Sequence, residues 1–412
     1  MLNSIITEWA SLIFRWLHVI AAMGWIGSSF YFIHLDLSLK KHEDLPEGVS
    51  GEAWQVHGGG FYHIVKYLVA PKQKPDQLTW FYWEAYATWL SGFALVVVVY
   101  YLDAELFLID KSVMDLTPFQ AGAFSLASLA LVWMLYESAC RTAVAKRELA
   151  FVLTGYGFLV ALTYAFTHVL SGRGAFNQIG AIIGTIMVAN VFLNIIPGQR
   201  KTVAALTAGE PADPELGLQG KQRSVHNNYL TLPVVLLMVS NHYPLLYATK
   251  YNWVIVAIVL ALGPVIRHFF NSRHAGKGSP WWTWGVAAAG MIAIAWLSGA
   301  GPRDAQIGPA TSGMVKSGTA TAGAAAPGFR TVENIVSARC SPCHAAQPVW
   351  ADIPAAPRGI LLDSADHITR NARLIGRNAA WSNAMPPGNI TEMTPGERAT
   401  LAAWLDAGAP GK

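Results

Sequence analysis

Over the first 300 positions, hydrophobic residues run in long blocks and polar residues gather in the stretches between them. Eight blocks, roughly 11–35, 82–102, 120–139, 150–170, 176–196, 229–247, 252–270 and 281–299, are each near the ~20 residues a helix needs to cross a bilayer core. The sixth is the weakest, because Pro233 interrupts it and Asn241-His242-Tyr243-Pro244 ends it early. Residues 301–327 are rich in Gly, Ala, Ser and Thr, which predicts a flexible linker. Beyond them a short helix is expected from Val332 to Ala338. Another starts at Thr394-Pro395-Gly396-Glu397, with Thr as N-cap, Pro at the first helical position and Glu at the third, and continues through Leu401, Trp404 and Leu405. The expected fold is all-α: a polytopic helical membrane domain of about eight spans over 1–300, a linker over 301–327 and a small helical domain over 328–412.

Composition agrees. Hydrophobic residues make up 53% and charged residues 13%, against about a quarter charged in ordinary soluble domains. Sixteen tryptophans suit interfacial aromatic belts. A net charge of +4 is too small to imply a nucleic-acid partner. With the N-terminus outside, the inside loops carry Lys40, Lys41, Lys66, Lys72, Lys74, Arg141, Lys146, Arg147, Arg200, Lys201, Lys221, Arg223, Arg273 and Lys277. The outside loops hold only Lys111, Arg173 and Lys250, so the positive-inside rule sets this orientation. An even number of spans returns the C-terminus to the outside. No signal-peptide cleavage pattern is expected before the first span.

The strongest chemical signal is Cys340-Ser341-Pro342-Cys343-His344. Two cysteines three apart can each form a thioether to a porphyrin vinyl group, and the adjacent histidine then lies under the iron as an axial ligand. A structural zinc site would need two further Cys or His ligands, and this segment offers only His367. The remaining cysteine, Cys140, reads as a small buried hydrophobe. Met385, in the proline-stiffened Asn383-Ala384-Met385-Pro386-Pro387-Gly388, is the expected second axial ligand, preferred over Met393 just before the last helix. Such His/Met ligation raises a haem's reduction potential and suits electron acceptance. The order of helix, CxxCH, long loop, methionine and terminal helix resembles a small class I cytochrome c domain carrying one covalent haem c. Because bacterial haem c is attached outside the cytoplasm, this agrees with the charge-derived topology.

The membrane segments also carry polar groups, which are costly there and default to functional hypotheses. Arg15, His18, Trp25 and Ser29 recur on one face of the first span. A b-type haem on His18, with His168 or His242, is one reading; a histidine satisfied by a neighbour is the other. His168 and His242 are expected toward the outside, and His34, His57, His63, His226 and His268 toward the inside. His57 before three glycines, Glu84 in Trp80-Phe81-Tyr82-Trp83-Glu84, and His226 in His226-Asn227-Asn228-Tyr229 are weak catalytic candidates. The glycines either allow close approach to a ligand or simply make a turn. Asn190 with Asn194 and Gly180 with Gly184 read as helix-packing features. Gly172-Arg173-Gly174 is not a dinucleotide motif, since no strand precedes it, and there is no HExxH or GxSxG.

Taken together, the His57-Gly-Gly-Gly stretch, Trp80 through Tyr86, His226 through Pro233 and the terminal CxxCH segment resemble the bacterial membrane-integral, cytochrome c-linked urate oxidases (urate hydroxylases) over nearly the whole chain. The resemblance implies oxidation of urate to 5-hydroxyisourate in purine degradation. Electrons would pass through haem c to a soluble cytochrome c or terminal oxidase rather than to O₂. It further implies a multi-pass protein of the bacterial inner membrane, surrounded by lipid, with its haem domain on the periplasmic side. One difficulty follows. Electrons tunnel well only over short gaps, and the inner candidates lie a membrane thickness from the haem, so either the substrate site is nearer the outer face or a relay exists. A quinol- or cytochrome-linked electron relay using additional b-type haem, and a transporter with a fused redox sensor, are the alternative classes.

Overall fold

The computed structural model describes residues 2–71, 77–299, 327–350, 353 and 355–411. Helix α1 (Leu2–Ser38) leads into an antiparallel hairpin, β1 (Val49–His57) and β2 (Gly60–Tyr67). Helix α2 (Trp83–Leu95) continues through a π-helical turn, Val96–Tyr101, to the four-residue α3 (Ala104–Phe107). Then come α4 (Pro118–Cys140), α5 (Glu148–Phe166) and α6 (Gly172–Ala189), which runs through a second π-helical turn, Asn190–Ile195, into α7 (Ile196–Thr207). Helices α8 (Pro214–Val239), α9 (Pro244–Tyr247), α10 (Asn252–His274) and α11 (Trp282–Ser298) complete the first part. The C-terminal part holds α12 (Phe329–Arg339), α13 (Ala365–Arg370), α14 (Ala372–Ile375) and α15 (Pro395–Asp406). The expected linker lies outside the described residues apart from Pro327.

The chain is mostly helical. Among the described residues six helical stretches are long and apolar enough to cross a membrane: Ile5–Ser38, Trp83–Tyr101, Pro118–Cys140, Glu148–Phe166, Gly172–Thr207 and Asn252–His274. This is compatible with a membrane protein. The expected sixth segment falls on the end of α8, whose first half carries Glu215, Lys221 and Arg223, and the eighth is α11, apolar but only 17 residues long. Pro233 does not end its helix. It stays inside α8 because Gly263 of α10 leaves room for its ring, where even a Cβ would come within 3.0 Å of the Pro233 nitrogen.

Helix α6 sits at the centre, packed on α2, α4, α5 and α8, and its Phe176, Ile179, Ile182 and Ile183 are completely buried. The outward faces are apolar too: Trp9, Trp16 and Met23 of α1 and Leu149, Val152 and Leu153 of α5 are exposed, as lipid-facing residues would be. The C-terminal part has a separate core of Val332, Val336, Leu401 and Trp404. Its last helix begins with the expected reciprocal cap, the Thr394 hydroxyl accepting from the Glu397 N–H at 3.2 Å and the Glu397 carboxylate from the Thr394 N–H at 2.7 Å.

The hairpin departs from an all-α reading. His57 pairs with Gly60, and the two residues between them, Gly58 and Gly59, have φ of +58° and +78°. Positive φ at both central positions is what a two-residue hairpin turn of matching twist requires, and glycine adopts it without steric cost. The three glycines therefore make a turn.

The C-terminal part rests on the end of the bundle formed by residues 102–117, 167–173 and 240–252. Gly388, at φ +55°, lies against the carbonyls of Ile109 and Glu105, where a Cβ would approach to 2.5 and 2.6 Å. The Asn383 N–H points to the Ala248 carbonyl at 3.4 Å.

Candidate functional site

The CxxCH run follows directly from α12. The Cys340 N–H donates to Val336 O at 2.8 Å, and those of Cys343 and His344 to Cys340 O at 3.2 and 3.0 Å, so the helical turn brings all three side chains together. The Ser341 hydroxyl ties the turn to Leu362 O at 2.8 Å. His344 Nδ1 lies 3.0 Å from Ile360 O. A carbonyl only accepts, so the proton resides on Nδ1 and Nε2 is left with a free lone pair, the arrangement that orients a metal-ligating imidazole. Both thiols are free. Burial pushes the Cys340 thiol up to about 12 and raises that of Cys343, so neither is a ready thiolate.

The two candidate methionines have different surroundings. Met393 is 2% exposed within the C-terminal core, whereas Met385 is 36% exposed and lines the same cavity as His344. The loop holding Met385 is fixed from behind by Arg398, itself buried. Its Nη1 donates to the carbonyls of Ala379, Ser382 and Met385 at 2.6, 3.1 and 2.8 Å, and Nη2 to Asn389 Oδ1 at 3.3 Å. Burial lowers this guanidinium to about 10, which leaves it charged at neutral pH. Arg398 sits one turn into α15, so the cap at Thr394 also sets where the methionine loop is anchored.

The shared cavity has a volume of about 580 Å³ and lies between the two parts. The C-terminal part contributes His344, Arg358, Arg377 and Met385; the bundle contributes Arg15, Arg173, Asn241, His242 and Tyr247. Asp110 is the single carboxylate among the described lining residues, and it is bonded to the Ser112 N–H and hydroxyl at 2.9 and 2.5 Å. An imidazole nitrogen and a thioether thus face one strongly cationic space. Among the described residues no group of three His, Cys, Asp or Glu side chains forms a metal site elsewhere.

The structure places the three catalytic candidates apart. His57 stands exposed at the tip of the hairpin. Glu84 is in the first turn of α2, beside Gly24 of α1. His226 is in α8, where the Tyr136 hydroxyl lies 2.7 Å from its Nδ1 and Phe151 stacks on its ring at 5.1 Å. None of the three lines the cavity. His226 belongs instead to a network in which Asn190 donates to the Tyr136 hydroxyl at 3.0 Å and to Asn227 Oδ1 at 2.9 Å. Nearby Glu137 pairs with buried Arg223 at 2.9 Å and accepts from Asn194 at 3.3 Å. Asn190 and Asn194 do pack helices together, through hydrogen bonds. Gly180 meets Met238 and Leu237 of α8, while Gly184 has open space.

His18 packs against Gly92, and its Nδ1 lies 2.8 Å from Thr88 O. Neither it nor His168, whose Nδ1 meets Tyr164 O at 2.7 Å, lines the cavity, whereas His242 does. Arg173, Arg358 and Arg377 gave little signal in sequence, because isolated arginines in loops or at helix starts read as orientation markers. Only the fold gathers them.

Fold and site together define a mostly helical protein with several apolar helices and a cationic cavity lined by a histidine and a methionine. A model of the family described as urate oxidase N-terminal matches residues 4–298, and the chain belongs to that family. Membership makes it an oxidoreductase of urate-related oxidation. No curated protein and no solved structure matches the chain.

Proposed function

We infer that this chain is a membrane-embedded urate oxidase that passes electrons through a covalent haem c to a soluble cytochrome c or terminal oxidase. The observation that carries the reading is the convergence of His344 and Met385 on a cavity bordered by the family-matched segment. The residues fit such a group: two cysteines on one turn with the histidine, an imidazole whose Nε2 is free, and a thioether across the same space. Cys340 and Cys343 would hold the porphyrin covalently, and His344 and Met385 would ligate its iron. When bound, haem c accepts one electron at a time, at a potential raised by the thioether. The chain's own residues supply the rest. Arg398 holds the methionine loop, the Ile360 carbonyl fixes the imidazole, and Gly388 lets the loop lie against the bundle.

In this reading about eight spans cross the bacterial inner membrane, with α8 and α11 joining the six more apolar stretches. The excess of basic residues in alternate loops supports a C-terminal part outside the cytoplasm. Haem stoichiometry on purified protein tests the cofactor assignment. One covalent haem per chain is expected, while additional non-covalent haem would favour an electron relay.

A further inference from the structure

A urate oxidase of this kind must hold urate close enough to its haem for electrons to cross. The inner candidates lie badly for electron transfer: by helix rise, Glu84 is roughly 24 Å along α2 from Tyr100, and His226 roughly 24 Å along α8 from His242. Both Tyr100 and His242 are at the bundle end that meets the C-terminal part; His242 lines the cavity, and the Tyr100 hydroxyl donates to cavity-lining Asn241. Electron transfer falls off steeply with distance, so a substrate site at this end needs no relay.

The bundle side of the cavity has what a flat purine anion requires. Arg15 and Arg173 supply charge. The Arg173 guanidinium carbon lies 4.2 Å from the Phe107 ring centroid and 5.8 Å from that of Tyr100, and its buried Nε has no hydrogen-bond partner among the described residues. Asn241 is held by three bonds, accepting from Tyr100 and donating to Asn177 Oδ1 at 3.3 Å and Met238 O at 3.1 Å, so it fixes the turn that presents His242. His242 itself makes no side-chain hydrogen bond among the described residues. It lines the cavity together with Arg15, Arg173 and Arg358, so an imidazole nitrogen is placed where an anion and its attacking water would lie. Among the described lining residues there are four arginines and one carboxylate. Even after two porphyrin propionates are counted, positive charge remains for a further anion.

We propose that urate binds at the bundle end of this cavity, with Arg15 and Arg173 holding the anion and His242 acting as general base. The proposal rests on the functional reading above. Urate monoanion and water give 5-hydroxyisourate, one proton and two electrons. The water oxygen bonds to C5 as the C4–C5 π pair is lost, His242 takes the proton, and two equivalents of oxidised cytochrome c take the electrons one at a time.

The test uses purified full-length holoprotein, urate, and the variants Arg173→Gln, Arg173→Lys and His242→Gln. Calorimetric titration should show urate binding weakened at least tenfold in Arg173→Gln and partly restored in Arg173→Lys, with haem content and midpoint potential unchanged. His242→Gln should lower kcat on the order of 100-fold, with KM within a few-fold of wild type. If Arg173→Gln moves the haem potential or haem content but leaves urate binding within twofold, the arginine serves the porphyrin and the proposal falls. Unchanged kcat in His242→Gln removes the base. If wild-type protein binds no urate and urate does not reduce its haem, the functional reading itself fails; if wild type responds and the variants match it, only the site is wrong.

Discussion

Replacing Arg398 should release the methionine loop before it destroys the fold, and the size of the effect follows from its bonds. The guanidinium donates to three backbone carbonyls, one of them that of Met385, and to the Asn389 side chain. Bonds from a charged donor contribute about 1.5–3 kcal/mol each, and an orphaned buried carbonyl costs about 1–3 kcal/mol. Three of the four share one nitrogen, so they do not add. Arg398→Met, which orphans every partner, should cost on the order of 3–6 kcal/mol, comparable to the whole stability of a small domain. Arg398→Lys keeps the charge and part of the bonding and should cost about 2 kcal/mol. At 1.4 kcal/mol per factor of ten, that raises the open-loop population about 30-fold. Two readouts are needed. The thioether-to-iron charge-transfer band and the midpoint potential of Arg398→Lys should both fall while covalent haem is retained, and its thermal midpoint should drop by about 10 °C. If Arg398→Lys loses stability but keeps the band and potential of wild type, the arginine supports the fold without aiming Met385, and the reasoning fails.

Other outcomes can be checked separately. Cys340→Ser with Cys343→Ser should lose haem staining on a denaturing gel, and retained staining would move the attachment site. Met385→Ala should keep the stain but lower the potential; Met393→Ala, which empties a core position, should lower stability by about 2–5 kcal/mol and leave the ligand field alone. Gly388→Val adds a Cβ against the Glu105 and Ile109 carbonyls and forces an unfavourable φ, so it should undock the C-terminal part, read as faster proteolysis near residue 327 with haem intact. Asp363 is held below its ordinary 3.8 by the Ala346 N–H and then His367; for Glu397 burial acts upward, but the Thr394 cap and Arg339 keep it below its ordinary 4.5. Depressed carboxyls stabilise above their unfolded values and lose that contribution as pH falls through the folded ones. Haem-band melting should therefore drop below about pH 4 and flatten in Asp363→Asn with Glu397→Gln.

Much of the architecture was legible because long apolar blocks and helix caps are local signals. The Thr394–Glu397 cap, the six long apolar helical stretches and the His344 turn could all be read from neighbouring residues. The hairpin was not, since helical expectations for the surrounding blocks masked the alternation that brings Trp54 of β1 opposite His63 of β2, ring stacked on ring at 4.2 Å. Pro233 looked like a break because the accommodating Gly263 is thirty positions away in another helix. The partner of His226 was more remote still, a tyrosine ninety residues earlier. The cavity was the least legible feature. Arg15, Arg173, His242, Arg358 and Met385 share no spacing, and only the docking of the C-terminal part on the bundle end brings them together.

The most direct measurement of the central claim is a visible spectrum of purified, oxidised full-length protein taken without oxygen before and after urate is added. The c-type haem bands should shift to the reduced form, and oxidised cytochrome c should then sustain turnover at two equivalents per urate consumed. A spectrum that urate leaves unchanged, while a quinol reduces the haem, would contradict it.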